Sequence, residues 1–136
     1  MRELVVYDTN IFVSYFLFPF KKGTIKTVVD QLFDRKTICV FCDTIMAEYD
    51  KVLHYKKFGF SHSEIRTLLD FILINGRYVV PLPTQVPFID ITDKCFYDAA
   101  LTAGADWLIT GNKKHYPTEP FIVTAAEYLQ LTGGVL

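Results

Sequence analysis

The chain has 136 residues, 51% of them apolar and 15% aromatic, and carries a formal net charge of −1. That length supports a single domain spanning 1–136 and excludes two, while the near-zero charge excludes a global field that gathers nucleic acid. Any RNA or DNA contact must therefore come from a local basic patch.

The elements follow in chain order. Leu4 to Tyr7 is a short, apolar, β-favouring run and predicts a buried strand. Asn10 is placed to cap a helix over Ile11 to Phe16. Pro19 and the stretch Phe20-Lys21-Lys22-Gly23 end it. Thr24 is placed to cap a second helix, in which Ile25, Val28, Val29, Leu32 and Phe33 recur at helical spacing. Ile38 to Phe41 is the second strand. Thr44 is expected to cap a third helix carrying Ile45, Glu48, Tyr49 and Val52. Ser61 and Glu64 form a capping-box pattern at the start of a fourth, which Asn75-Gly76 stops.

Arg77 to Val80 predicts a third strand, followed by a proline-rich loop from Pro81 to Pro87. Asp93 to Ala103 reads as a helix closed by Gly104. Trp107 to Thr110 is the fourth strand and Phe121 to Val123 a short fifth. Thr124 and Glu127 form a second capping box opening the last helix, and the tail Gly133-Gly134-Val135-Leu136 is expected to fray. Strands alternate with helices throughout, which predicts a three-layer α/β/α sandwich on a mostly parallel, roughly five-stranded sheet.

In such a sheet the carboxyl ends of the strands form the edge where ligands bind. Asp8, Glu48, Asp93 and Asn112 all fall where a strand ends or a helix begins. Acids gathered at one edge repel each other unless a cation joins them, and hard oxygen ligands suit Mg²⁺ or Mn²⁺. This predicts a metal-dependent hydrolase of the nuclease kind. Each residue also has a plainer reading. Asp8 can be a turn aspartate, Glu48 a solvated helix glutamate, and Asp93 a first-turn carboxylate favoured by the helix dipole. Asp98 sits inside a helix beside Ala99 and Ala100, where a carboxylate is unexpected. It is open to three roles: a second metal ligand, a group that orients water, or a partner for a basic side chain. Asp90 is expected to cap or buttress the loop. After the fourth strand, Gly111 permits a sharp turn, Thr110 and Asn112 present oxygens, and Lys113, Lys114 and His115 make a local positive patch.

Other chemistries lack support. There is no G-x-S-x-G elbow, no G-x-x-x-x-G-K-[ST] and no G-x-G-x-x-G. Phosphotransfer through an aspartyl nucleophile wants a second acid two residues after Asp8, where this chain has Asn10. The three cysteines, Cys39, Cys42 and Cys95, are too few and odd in number for a disulfide framework. Cys39 and Cys42 have C-x-x-C spacing but nothing completes a zinc site, so buried thiols are expected. No leader peptide and no bilayer-spanning apolar run is read, so a cytoplasmic location is expected. Twelve Phe and eight Tyr exceed what one small core buries easily, which predicts a homodimer. Phe12, Tyr15, Phe16, Phe18 and Phe20 are the suspected interface, with core packing as the alternative.

Four blocks carry a resemblance. Asp8-Thr9-Asn10-Ile11-Phe12-Val13-Ser14, Met46-Ala47-Glu48-Tyr49 with Val52-Leu53, Asp90 to Ala100, and Ala105-Asp106-Trp107-Leu108-Ile109-Thr110-Gly111-Asn112 together resemble PIN domains. The likeness is to their toxin branch, related to VapC-like ribonuclease toxins of type II toxin–antitoxin systems. It implies a Mg²⁺- or Mn²⁺-dependent endoribonuclease with RNA as substrate and a protein antitoxin as partner. By motif match, Asp8, Glu48 and Asp93 would be the metal-binding acids. Asn112 stands where many PIN domains have a fourth acid, and Asp98 is a candidate to replace the missing charge. Asn112, Thr110 and Ser14 would orient water or phosphate, Asn10 is a further substrate-binding candidate, and Lys113 and Lys114 are candidates for the RNA backbone. A degenerate PIN-like RNA-binding or scaffold protein is the alternative.

Overall fold

The computed structural model describes residues 2–19 and 22–133. Its five strands are β1 (Glu3–Tyr7), β2 (Thr37–Phe41), β3 (Arg77–Tyr78), β4 (Trp107–Ile109) and β5 (Ile122–Val123), all parallel, in the order β3-β2-β1-β4-β5. The helices are α1 (Thr9–Leu17), α2 (Thr24–Phe33), α3 (Asp43–Leu53), α4 (His62–Asn75), α5 (Lys94–Ala103) and α6 (Ala125–Leu131). Successive strand residues point to opposite faces, yet Val5, Val6 and Tyr7 are all fully buried, so helices cover both faces of the central strand. The chain is the α/β sandwich that the alternation of elements predicts.

The strand order reverses beside β1. The chain moves from β1 to β2 and β3 on one side, then returns to β4 and β5 on the other. The carboxyl ends of β1 and β4 therefore flank a switch point, the place in an open parallel sheet where connections diverge and leave a crevice. Asp8 continues the β1–β4 ladder by one bond, its N–H donating to the Ile109 carbonyl at 3.0 Å. This bond fixes Asp8 at the mouth of the crevice.

Several local readings change in the structure. Asp8, not Asn10, is the N-cap of α1, and its side chain does not cap the helix. Asn10 lies in the first turn and instead accepts the Gly111 N–H on Oδ1 at 3.0 Å, tying the loop after β4 to the start of α1. Thr24 and Thr44 are inside α2 and α3, whose N-caps are Gly23 and Cys42. Ser61 does cap α4, accepting the Glu64 N–H, and Thr124 with Glu127 forms a complete capping box on α6. Gly76 ends α4 in an extended conformation rather than a left-handed one. Its role is close approach, because a Cβ there would lie 2.6 Å from the Cys39 carbonyl of β2. The expected helix from Asp93 is preceded by a 3-10 turn over Ile91–Asp93, and α5 begins at Lys94. The expected frayed tail falls on residues 134–136, outside the described residues apart from Gly133, as do Phe20 and Lys21.

The cysteines are free, with Cys39 and Cys42 buried. Burial pushes the Cys39 thiol up to about 12, which makes it inert at neutral pH. Of the described aromatic interface suspects, Phe12 is core, Tyr15 and Phe16 are half-buried against it, and Phe18 is exposed. No helix among the described residues is long and apolar enough to cross a membrane.

Candidate active site

Asp8 is 5% exposed at the end of β1. One of its oxygens, Oδ2, accepts two hydroxyls, from Thr110 at 2.8 Å and Tyr116 at 2.9 Å. No cation pairs with it among the described residues. Burial raises its pKa, opposed by those two hydroxyls and by the backbone N–H groups of Thr9 and Asn10. A carboxylate held in neutral donors keeps its charge only at a cost.

Asp93 enters from the other side, at the junction of the 3-10 turn and α5. Its pKa is raised to about 6, by burial first and then by the charges of Asp8 and Asp90. His115 Nδ1 lies 3.2 Å from Asp93 Oδ2 and pulls in the opposite direction. Glu48 is half-buried on α3. The Cys95 thiol links it to this pair electrostatically. That thiol is raised to about 12 by burial, then by Cys42, Glu48, Asp8 and Asp93 in turn. Glu48, Asp8 and Asp93 thus each act on the Cys95 thiol.

They do not form a closed cage. No three His, Cys, Asp or Glu side chains among the described residues stand close enough to hold a metal ion together. The donor chemistry nevertheless fits a small divalent cation. Asp8 and Asp93 offer hard carboxylate oxygens, and no lysine or arginine pairs with either among the described residues, burial being the first cause of the raised pKa of each. Mg²⁺ keeps most of its water and needs only one or two carboxylates, so a preassembled triad is not required.

The other expected site residues divide. Asn112 is exposed beside the pair, its backbone N–H donating to Thr110 Oγ1 at 3.0 Å. Thr110 is fully buried and its hydroxyl is engaged on both sides, so it positions Asp8 and cannot reach a substrate. Asn10 is likewise held by Gly111. Asp98 accepts Lys94 Nζ on Oδ2 at 2.7 Å and the Thr84 hydroxyl on Oδ1 at 2.7 Å. Of its three open roles it takes the basic partner, and it fastens the proline-rich loop to α5. Lys113 is paired with both oxygens of Glu127, which leaves Lys114 as the exposed lysine of that turn without an ion pair among the described residues. Ser14 lines a cleft between α1 and the start of α2 with Lys22 and Lys26, and none of the acids borders it. Asp90 does buttress the loop, accepting the Thr92 N–H and hydroxyl on one oxygen.

Sequence reasoning missed Tyr116 and the acid-facing role of His115. Tyr116 lies 108 residues from Asp8, and nothing in its local pattern marks it as a partner. Its ring is held in turn by Phe88 of the proline-rich loop, edge-on at 5.8 Å.

A family model described as PIN domain matches residues 4–114. The chain belongs to the PIN-domain family. The match spans β1 to the turn after β4, and so includes Asp8, Glu48, Asp93 and Asn112. PIN domains are nuclease-type folds that typically use divalent metals, and the acids of this PIN domain stand at the sheet edge where such a fold places its chemistry. No match was found among curated proteins or among solved structures.

Proposed function

We propose that this PIN domain is a Mg²⁺- or Mn²⁺-dependent endoribonuclease that hydrolyses RNA phosphodiester bonds, acting as the toxin of a toxin–antitoxin pair. The observation that carries the reading is Asp8, buried at the switch point of the sheet with two hydroxyls on one oxygen and no lysine or arginine on it among the described residues, with Asp93 near enough to feel its charge. Burying two like charges together costs stability, and a bound cation turns that cost into binding.

Asp8, Asp93 and Glu48 would hold the ion, directly or through water. The ion, when bound, lowers the pKa of a water and offsets charge developing on the phosphate. Thr110 and Tyr116 fix the rotamer of Asp8 by holding Oδ2. His115 holds Asp93 from the opposite side through Nδ1. Asn112 presents an amide at the rim, and Lys114, exposed on the same turn, offers a positive charge to the RNA backbone.

A cytoplasmic homodimer restrained by a protein antitoxin completes the proposal. Exposed apolar side chains at Ile74, Val80, Leu82, Ile89 and Ile91 leave apolar surface for such partners to cover. Sedimentation as a monomer at high concentration counts against the dimer.

The deciding experiment is cleavage of structured and unstructured labelled RNA with Mn²⁺, Mg²⁺ or chelator. Asp8→Asn run alongside excludes a contaminating nuclease. Metal-dependent cutting that the variant loses supports the reading. Asn112 and the open spacing of the acids favour a second one, a degenerate RNA-binding scaffold, which predicts metal binding without cleavage of any tested RNA.

A further inference from the structure

Arginines gather at the end of the sheet opposite the acids, interleaved with Glu3, Asp34 and Asp106. Three of the four arginines, Arg2, Arg35 and Arg77, stand at the amino ends of β1, β2 and β3, all exposed, with Lys36 among them. Arg66, the fourth, is paired with Asp70 on α4. Arg2, Lys36 and Arg77 line an open cleft of about 900 Å³ floored by Leu4 and Ile38. Asp106 is the acid on this cleft, and its Oδ2 is taken by the Leu4 N–H at 2.8 Å. Arg2 reaches across to Arg35, its Nη1 donating to the Arg35 carbonyl at 3.4 Å.

Arg35 is a second, independent observation. It is the one described non-glycine residue with positive φ, at 61°. It follows the C-cap of α2 in a Schellman arrangement, with Arg35 N–H donating to the Leu32 carbonyl and Lys36 N–H to the Gln31 carbonyl. Glycine is the residue favoured at that position, because a Cβ is strained in the left-handed region. This chain accepts the strain and keeps an exposed arginine next in sequence to Lys36 of the cleft. Strained backbone of this kind concentrates where a side chain is needed for function.

We propose that this amino-edge cluster of Arg2, Arg35, Lys36 and Arg77 is a binding surface for the phosphodiester backbone of single-stranded RNA, a second contact remote from the cleavage site. The inference rests on the nuclease reading for the identity of the polyanion. Arginine forks match phosphate oxygens in pairs, and this end is rich in arginine. The acid end repels a phosphate chain, and in the turn after β4 Lys114 is the lysine without an ion pair among the described residues, so substrate affinity has to be supplied elsewhere. Five residues of β1 separate the two ends by roughly 17 Å, a distance that an extended oligonucleotide spans in a few nucleotides. The route runs along the edge strand β3, where Arg77 is followed by the exposed ring of Tyr78, a surface on which a base can stack.

The test uses the full chain and a labelled 20-nucleotide oligouridylate, with chelator present and probe integrity checked afterwards. Anisotropy is read from low to high salt for wild type and for Arg2→Gln/Arg35→Gly/Arg77→Gln. Cleavage of the 20-mer and of a 6-mer with Mn²⁺ is followed in parallel. Arg35→Gly relieves the backbone strain, so that single variant keeps or gains melting temperature and guards against a folding artefact. The triple variant is expected to bind the 20-mer about tenfold more weakly. Its plot of log affinity against log salt is expected to be shallower by about 2, at about 0.7 for each phosphate that is no longer neutralised. Cleavage of the 6-mer is expected to be unchanged. Unchanged affinity and salt slope with cleavage intact overturns the surface and leaves the nuclease reading standing. Patch-dependent binding without cleavage by wild type overturns the nuclease reading and leaves the surface standing. A polyglutamate peptide that loses binding to the triple variant while RNA does not overturns the proposal in favour of an acidic protein partner.

Discussion

The Tyr116 hydroxyl donates to Asp8 Oδ2 at 2.9 Å across 108 residues of chain. Tyr116 is buried, and burial followed by the Asp8 charge drives its own pKa far above the ordinary phenol range, so it remains a donor at every accessible pH. Asp8 thus depends on a residue beyond β4 for its orientation. Tyr116→Phe leaves the ring packed against Phe88 and removes only the donor. The expected loss is about 1–2 kcal/mol of stability, the usual cost of weakening a buried charge-assisted bond, together with a roughly tenfold fall in cleavage rate. Chemical denaturation and RNA cleavage on the same preparation check both.

The acid pair predicts an unusual pH profile for the metal-free protein. Asp93 has a folded-state pKa of about 6 against an ordinary 3.8. A raised value means that the folded state binds the proton more tightly than the unfolded one. The group's contribution to stability is therefore fully present below about pH 4 and is lost as pH rises through about 6. Asp8, also raised, acts in the same direction. Asp93→Asn removes the penalty. In chelator it should be more stable than wild type at pH 7.5, by about 1–2 kcal/mol after allowing for partial solvation, and the difference should vanish near pH 4. Thermal melts across this range read it directly. A variant less stable than wild type at pH 7.5 contradicts the uncompensated pair.

Asp98 and Asp8 are expected to fail in different ways. The Lys94–Asp98 pair has side-chain exposures of only 18% and 10%, and Asp98 also holds Thr84 of the proline-rich loop. Removing one member of such a pair leaves the other charge buried alone. Asp98→Ala should therefore cost about 2–4 kcal/mol and expose residues 79–90 to limited proteolysis. Asp8→Asn should abolish cleavage while leaving the loop protected. Equal loss of cleavage by folded Asp98→Ala protein with the loop still protected would return Asp98 to the chemistry.

Gly76 offers a test of the fold itself. A Cβ there meets the Ile72 carbonyl oxygen at 2.5 Å, the Cys39 carbonyl oxygen at 2.6 Å and the Phe41 ring at 2.9 Å. Two of these neighbours are backbone and cannot swing aside. Gly76→Ala should cost about 2–3 kcal/mol, in the range of core overpacking, with the loss visible in the urea midpoint. A neutral result would mean that α4 is free to shift away from β2.

The sequence by itself determined the kind of fold and the strand ends at which the candidate site residues lie. Apolar β-favouring runs alternating with helical periodicity can be satisfied only by a parallel sheet covered on both faces, and the runs around Val5, Val40 and Leu108 are indeed buried strands. Position relative to those runs was enough to put Asp8 and Asn112 at one edge, because a strand's end is a local property. Capping residues were less legible. Thr24 and Thr44 have the right chemistry for caps, yet the chain enters each helix one or two residues earlier, where backbone geometry rather than side-chain oxygen sets the start. The tertiary structure alone decided which polar groups meet. Thr110 turned from a substrate contact into a buried support, Asp98 was claimed by Lys94 one turn earlier, and His115 faced Asp93 instead of solvent. A side chain's partner depends on which strands lie side by side, and parallel pairing brings together residues a hundred positions apart. Hydrogen bonds and charges act over a few ångströms of space, and no local pattern records that distance.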